Sequence, residues 1–212
     1  PGGLPTEALV ADVLVAKYAD HLPLYRQSQM LAREGIEINR STLASWVGFA
    51  AFELAPDWDR SPSSIAFSSD GKSIYANAQD MGEKTLWRFD LDTGAAHRLA
   101  GNGTISSFDV SSGPVVFARD TLRSPSELFV LESDAERRLT DFTGPQLKGV
   151  ALGEYEQFSF EGAHGDTVHG YVMKPAVYEE GRNYPIAFLI HGGPQGSFGN
   201  HFHYRWNPQT YA

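Results

Sequence analysis

The chain has no cysteine and only 3 methionines in its 212 residues. The lack of cysteine excludes disulfides, thiolate metal ligands and a cysteine nucleophile, and leaves the redox compartment open. Long apolar runs are missing too. Stretches such as Ile186 to Ile190 fall far short of the roughly 18 residues that a membrane-spanning helix needs. Positive charge is scarce: the formal net charge of −9 argues against a whole-chain nucleic-acid binder, though not against a local basic face. The sequence opens at Pro1 with neither an initiator methionine nor a basic-then-apolar leader. Together with its abrupt close at Ala212, this gives the expectation that these residues were cut from something longer. What is present is globular in character, 42% hydrophobic and 12% aromatic, with length for one large domain or two small ones.

The pattern changes near Leu54 to Pro62, where "LAPDWDRSPSS" has the prolines and polar residues of a linker. Before it, apolar residues recur at helical spacing. Thr6 is placed to cap a helix whose stripe is Leu9, Val10, Val13, Leu14, Lys17 and Tyr18. Pro23 suits the first turn of a second helix and Gly35 its end. Ser41 or Thr42 is the expected cap of a third, running through Leu43, Trp46, Val47 and Ala50. Helix, glycine turn and helix over residues 27–47 fit both a helix-turn-helix and a plain helical bundle.

After the break the sequence repeats itself. Ile65-Ala66-Phe67 aligns with Ser106-Ser107-Phe108, Leu86 to Phe89 with Leu128 to Leu131, and Arg98-Leu99 with Arg138-Leu139. A period of about 40 residues with four short strands per unit is the size of a propeller blade. Asp70-Gly71 and Thr93-Gly94 mark turns between strands. Asp90, Asp92 and Gly94 faintly resemble a calcium loop but lack the ligands that should follow, so a turn is expected there.

The last third reads as a hairpin, Tyr155 to Phe160 and Val168 to Met173 around Gly165-Asp166. "YPIAFLIHGGP" follows, an apolar run of the kind buried in the middle of an α/β sheet, ending in His191-Gly192-Gly193-Pro194. Acyl transfer builds negative charge on a carbonyl oxygen, and backbone N–H groups aimed at it lower the barrier. Glycines at a strand end allow that close approach, although an ordinary turn explains them equally well. No serine in the chain has glycine at both −2 and +2, so no Gly-x-Ser-x-Gly elbow is present. His191, His201 and His203 lie close together without a neighbouring carboxylate in sequence, so they are expected to serve packing and not a metal. Arg205, Trp206 and Asn207 are expected to fix the loop, with Trp206 as an aromatic filler.

Two resemblances add to this reading. "LPTEALVADVLVAKYADHLPLYRQSQMLAREGIEINRSTLASWVG" resembles a helical segment of DDE-type transposases of bacterial insertion sequences, over about Leu4 to Phe52. In that family the segment precedes the catalytic acids, so no catalytic residue carries over and no transposase activity is implied. From about Asp57 to Ala212, on "GEYEQFSF", "GYVMKP", "YPIAFLIHGGPQGSFGNHFHYRWNPQTYA" and the repeats, the chain resembles the prolyl oligopeptidase family of serine peptidases, especially its bacterial dipeptidyl and acylaminoacyl peptidases. That resemblance implies a propeller gating an α/β-hydrolase domain that cleaves short peptides. It makes Gly193 an oxyanion donor through its N–H, with Gly192 shaping the turn beside His191, and it places serine, acid and histidine downstream of these residues.

The fold expected is therefore mixed: helices over 1–54, a linker over 55–62, two propeller blades over 63–150, and the start of an α/β-hydrolase domain over 151–212. The expected function is that of a peptidase portion joined to a transposase remnant and inactive by itself. A DNA-binding helical module and a non-catalytic interaction module are the alternatives. No cofactor or metal is expected, partners are short peptides and neither DNA nor membrane, and the oligomeric state is left open. Compartment, bacterial cytoplasm or periplasm, is not legible.

Overall fold

The computed structural model describes residues 6–18, 20, 22–43, 46, 55, 57–110, 113–133, 135–192 and 197–212. Helix α1 spans Glu7–Tyr18, and Thr6 Oγ1 accepts the Leu9 N–H at 3.2 Å as the expected cap. Helix α2 spans Leu24–Arg33, with Pro23 standing just before it. Its end is closed by paired reverse bonds: the Gly35 N–H donates to Ala32 O and the Ile36 N–H to Leu31 O. That closure requires a left-handed residue, which Gly35 supplies with φ 82°. The buried Gln27 side chain joins the two helices, its Nε2 donating to Val13 O (3.3 Å) and Leu22 O (2.9 Å). Residues 40–43 are helical as well. Their cap is Asn39 and not Ser41 or Thr42: Asn39 Oδ1 accepts the Thr42 N–H at 2.9 Å and both hydroxyls. An Asn carbonyl one position before the helix reaches back to the first-turn amides, whereas hydroxyls already inside the turn do not. Val47 and Ala50 lie outside the described residues.

The sheet region consists of two four-stranded antiparallel meanders. Strands β1 (Pro62–Phe67), β2 (Ser73–Asp80), β3 (Glu83–Asp90) and β4 (Ala96–Ala100) form the first. Strands β5 (Thr104–Asp109), β6 (Val115–Thr121), β7 (Ser124–Glu132) and β8 (Ala135–Arg138) form the second. Each strand of the second set begins about 40 residues after its counterpart, the period of the sequence repeat. A single parallel bridge, Lys84 to Thr104, links the two sets.

Strand alternation decides what each face packs against. In β2 and β3, Ile74, Ala76, Trp87 and Phe89 point one way, onto Ala55 and Trp58. Tyr75 and Leu86 point the other way, into a core shared with Ile105, Val115 and Phe117 of the second set. Asn77, fully buried in that seam, donates from Nδ2 to Ile105 O at 2.9 Å. The stretch expected as a linker is thus partly packed down. Trp58 meets Phe89 edge-on at 4.8 Å, and Arg60 bonds Asp80 at 2.7 Å. The Asp90 loop is the expected turn, with Asp90 Oδ1 accepting the Asp92 and Thr93 N–H groups.

A short helix α3 (Gly144–Leu147) leads to the expected hairpin, of β9 (Tyr155–Glu161) and β10 (Thr167–Met173), which turns at Gly165 with Tyr155 opposite Met173. The apolar run Ile186 to Ile190 differs from expectation. It is not a strand, and Ile186 and Phe188 are 91% and 82% exposed. A central parallel-type strand needs backbone partners on both sides, and among the described residues β9 and β10 pair only with each other.

The turn after β8 is held by a buried carboxylate. Glu127 accepts the Thr140 and Thr143 hydroxyls and the Phe142 and Thr143 N–H groups, with Arg138 at 3.1 Å. Burial alone would push its pKa up; these hydrogen bonds outweigh burial and hold it down at about 2, from an ordinary 4.5. A carboxyl depressed in the fold stabilises it above the unfolded pKa and loses that contribution as pH falls through the folded value. Denaturation followed between pH 4.5 and 2 should show stability falling as the solution is acidified. Glu127→Gln should lower stability at neutral pH by about 2 kcal/mol and flatten the acid slope; an unchanged slope would contradict this role.

Candidate functional site

The candidate site is the loop after the apolar run, and the segment that follows ties it to the sheets. His191 is half-buried; its ring meets Phe198 edge-on at 6.3 Å, and its Nδ1 lies 3.4 Å from Gly192 O. Gly192 is exposed, and a Cβ built on it meets nothing within 4 Å among the described residues. Gly193, the expected oxyanion donor, lies outside the described residues, as does Pro194.

Seven residues beyond Gly193 the chain is pinned. Asn200 is 3% exposed and uses both backbone groups and both side-chain atoms. Its N–H donates to Gly82 O at 2.7 Å, and its carbonyl accepts the Thr104 hydroxyl at 3.0 Å. Its Oδ1 accepts the Leu122 N–H at 3.0 Å, and its Nδ2 donates to Glu83 Oε1 at 3.3 Å. Gly82 and Leu122 occupy equivalent turns, β2–β3 in the first meander and β6–β7 in the second, so one side chain spans both. Gly199 has to be small here, since a Cβ on it would lie 2.0 Å from Gly82 O.

Beside Asn200, the buried Asp120 Oδ1 accepts the Phe202 N–H at 2.7 Å and faces His201 Nδ1 at 2.7 Å. Burial pushes the Asp120 carboxyl above the usual carboxylate range, opposed by the Phe202 N–H and by His201. Further along, Gln209 grips Gly153 through both backbone groups, at 2.7 and 3.1 Å, and reaches Leu122 O at 3.4 Å. The hairpin is attached to the same edge, with Gln157 Nε2 donating to Met81 O.

A carboxylate therefore does stand beside the histidines. Asp120 is distant in sequence and reaches His201 only because the fold brings β6 under residues 200–202. His203 is occupied differently, its Nδ1 accepting the Arg205 and Trp206 N–H groups. Among the described residues no three His, Asp or Glu side chains assemble as metal ligands. Trp206 is 50% exposed and lies under Arg205, so it is not the expected filler: no described element covers that side of the loop. Asn207 caps the short turn Pro208–Thr210 by accepting the Gln209 N–H.

With this geometry in view, the comparisons fall into two parts. Residues 2–68 match the family model of transposases of the IS66 family, beyond the expected boundary and into β1. Dipeptidyl-peptidase 5 of Trichophyton equinum is 34% identical over 167 residues, 75% of this chain and 23% of the relative. The Arthroderma otae protein of the same name is 34% identical over 170 residues, 76% of this chain and again 23% of the relative. Among solved structures, Pyrococcus horikoshii acylaminoacyl peptidase superposes with a TM-score of 0.59 at 26% identity, covering 71% of this chain and 23% of that one. The chain is homologous to peptidases of the prolyl oligopeptidase family. It spans about a quarter of the length of these relatives. No helix among the described residues is long and apolar enough to cross a membrane.

Asn200→Ala leaves the Leu122 N–H without its acceptor in a buried setting, which costs about 2 kcal/mol. Urea denaturation should show that loss. Asn200→Asp should recover little of it, because the new carboxylate faces Glu83; a variant as stable as the parent would remove Asn200 from its role at the joint.

Proposed function

We propose that residues from about 57 onward form part of a serine peptidase of the prolyl oligopeptidase family: two blades of its propeller and the oxyanion loop of its hydrolase domain. In this reading the chemistry is hydrolysis of short peptides by acyl transfer to a serine outside these 212 residues. The Gly193 N–H is one donor to the oxyanion, and Gly192 and His191 shape its approach. The observation that carries the reading is the 34% identity over three quarters of the chain, which includes two meanders repeating at blade spacing. The position of Asn200 supports it, since the loop's downstream anchor grips equivalent turns of both meanders.

The N-terminal helices are a transposase-derived addition, supported by the family match over residues 2–68. Their acidic residues Glu7, Asp12, Asp20, Glu34 and Glu37 outnumber the cations around them, which disfavours DNA as their partner. A salt-dependent gel shift with this protein would revive that reading.

No serine of the chain stands in a Gly-x-Ser-x-Gly elbow. Residues 1–212 should therefore neither release a chromophore from dipeptidyl substrates nor label with a serine-directed fluorophosphonate. Turnover lost on substitution of one serine would overturn the proposal. A positive arm replaces the matching segment of the Trichophyton equinum dipeptidyl-peptidase 5 with residues 57–212. The chimera should fluorophosphonate-label and turn over substrate, and Gly193→Pro, which deletes the N–H, should lower its kcat about 100-fold. A chimera that labels but is indifferent to Gly193→Pro would remove the oxyanion role.

A further inference from the structure

The chain contains one Asn-Gly pair, Asn102-Gly103, and it lies at the crossing between the two meanders. We propose that Asn102 is a site of spontaneous deamidation and isoaspartyl formation, and that the product loosens this crossing. The inference is independent of the peptidase reading.

The reaction needs three things: an exposed asparagine side chain, a following residue with no Cβ in the way, and a backbone N–H free to be deprotonated. Asn102 is exposed, sits in a left-handed turn at φ 58°, and its side-chain amide makes no hydrogen bond among the described residues. The Gly103 N–H likewise has no acceptor among the described residues. Two cations flank the loop: Arg119 donates to Gly101 O at 2.8 Å, and Arg98 lies against Gly101. Both are paired with carboxylates, Arg98 with Glu83 and Arg119 with Glu136, so the reactivity rests on the exposed side chain and the Gly103 N–H and not on a cationic field.

The Gly103 nitrogen gives up its proton and bonds to the side-chain carbonyl carbon of Asn102. The bond from that carbon to the amide nitrogen breaks, and ammonia leaves with the proton. Water then opens the five-membered imide at either carbonyl, giving aspartate or isoaspartate. No oxidant or reductant is involved.

The surroundings make the isoaspartyl product disruptive. It adds one methylene to the main chain between two fixed points: the Asn102 N–H, held by Glu83 Oε2 at 3.0 Å, and Gly103 O, which accepts the Lys84 N–H at 3.1 Å. There is little free space beside Gly103 to take up the added length, since a Cβ built on it would lie 2.2 Å from Asp120 O. Asp120 and Glu83 are the residues that hold His201, Phe202 and Asn200. The exposed Asp70-Gly71 pair is an internal contrast, because the Asp70 carboxylate is engaged by the Ser68 hydroxyl (2.6 Å) and the Lys72 N–H (3.0 Å).

The test is to incubate folded protein in mildly alkaline buffer and map isoaspartate by peptide mass spectrometry and enzymatic methylation. Urea-unfolded protein and the Asn102→Gln variant run alongside. Isoaspartate should accumulate at residue 102 in the folded protein, ahead of residue 70, with ammonia release. It should be absent from Asn102→Gln, and the aged wild type should melt lower than the aged variant. Isoaspartate at 102 in the unfolded sample only would mean that the fold protects the pair, and would overturn the proposal. Accumulation at 102 with an unchanged melting temperature would overturn the claimed loosening of the crossing.

Discussion

The buried amide of Asn200 is the contact on which the arrangement of this molecule depends. The two meanders share an apolar seam but, among the described residues, only one ladder bridge, Lys84 to Thr104. Asn200 adds a polar bridge at one end of that seam, to the turn of the first meander through Gly82 and Glu83 and to the turn of the second through Leu122. A buried amide is tolerated only when its polar atoms find partners, and here Oδ1 and Nδ2 each have one, as do the backbone N–H and carbonyl. The requirement works in both directions, since the turns need Asn200 as much as it needs them.

The consequence for function is positional. A loop that presents backbone N–H groups to a reacting carbonyl is useful only if it is held still. The apolar run before the His-Gly-Gly-Pro loop is exposed and unpaired among the described residues, so no described contact holds the loop from that side. On the other side, Asn200, Asp120 and Gln209 tie the following segment to both meanders and to Gly153. In this account the sheets are the platform from which the loop is placed.

Much of the fold was legible in the sequence for physical reasons that can be named. The repeat was visible because each meander reuses the same strand alternation, and in the first Asp70-Gly71 and Thr93-Gly94 mark the turns. Thr6 and Gly35 were legible because capping is local. The role of Trp58 was not, since composition marks a proline-rich stretch as a linker and says nothing about the aromatic pocket waiting across the sheet. Asn200 and Asp120 were missed for the same reason. Their partners lie far away in the chain, and a lone Asn before a histidine carries no sequence signal. The apolar run was read as a buried strand because hydrophobicity reports a need for cover and not the presence of a partner.

The most direct test of the account is native-state hydrogen exchange at two amides, Leu122 and Phe202, which donate to Asn200 and Asp120. Both should exchange as slowly as the paired amides of β6 and β7. Exchange as fast as in the exposed run Ile186 to Ile190 would contradict it, and would mean that the segment after the loop is not held against the sheets at all.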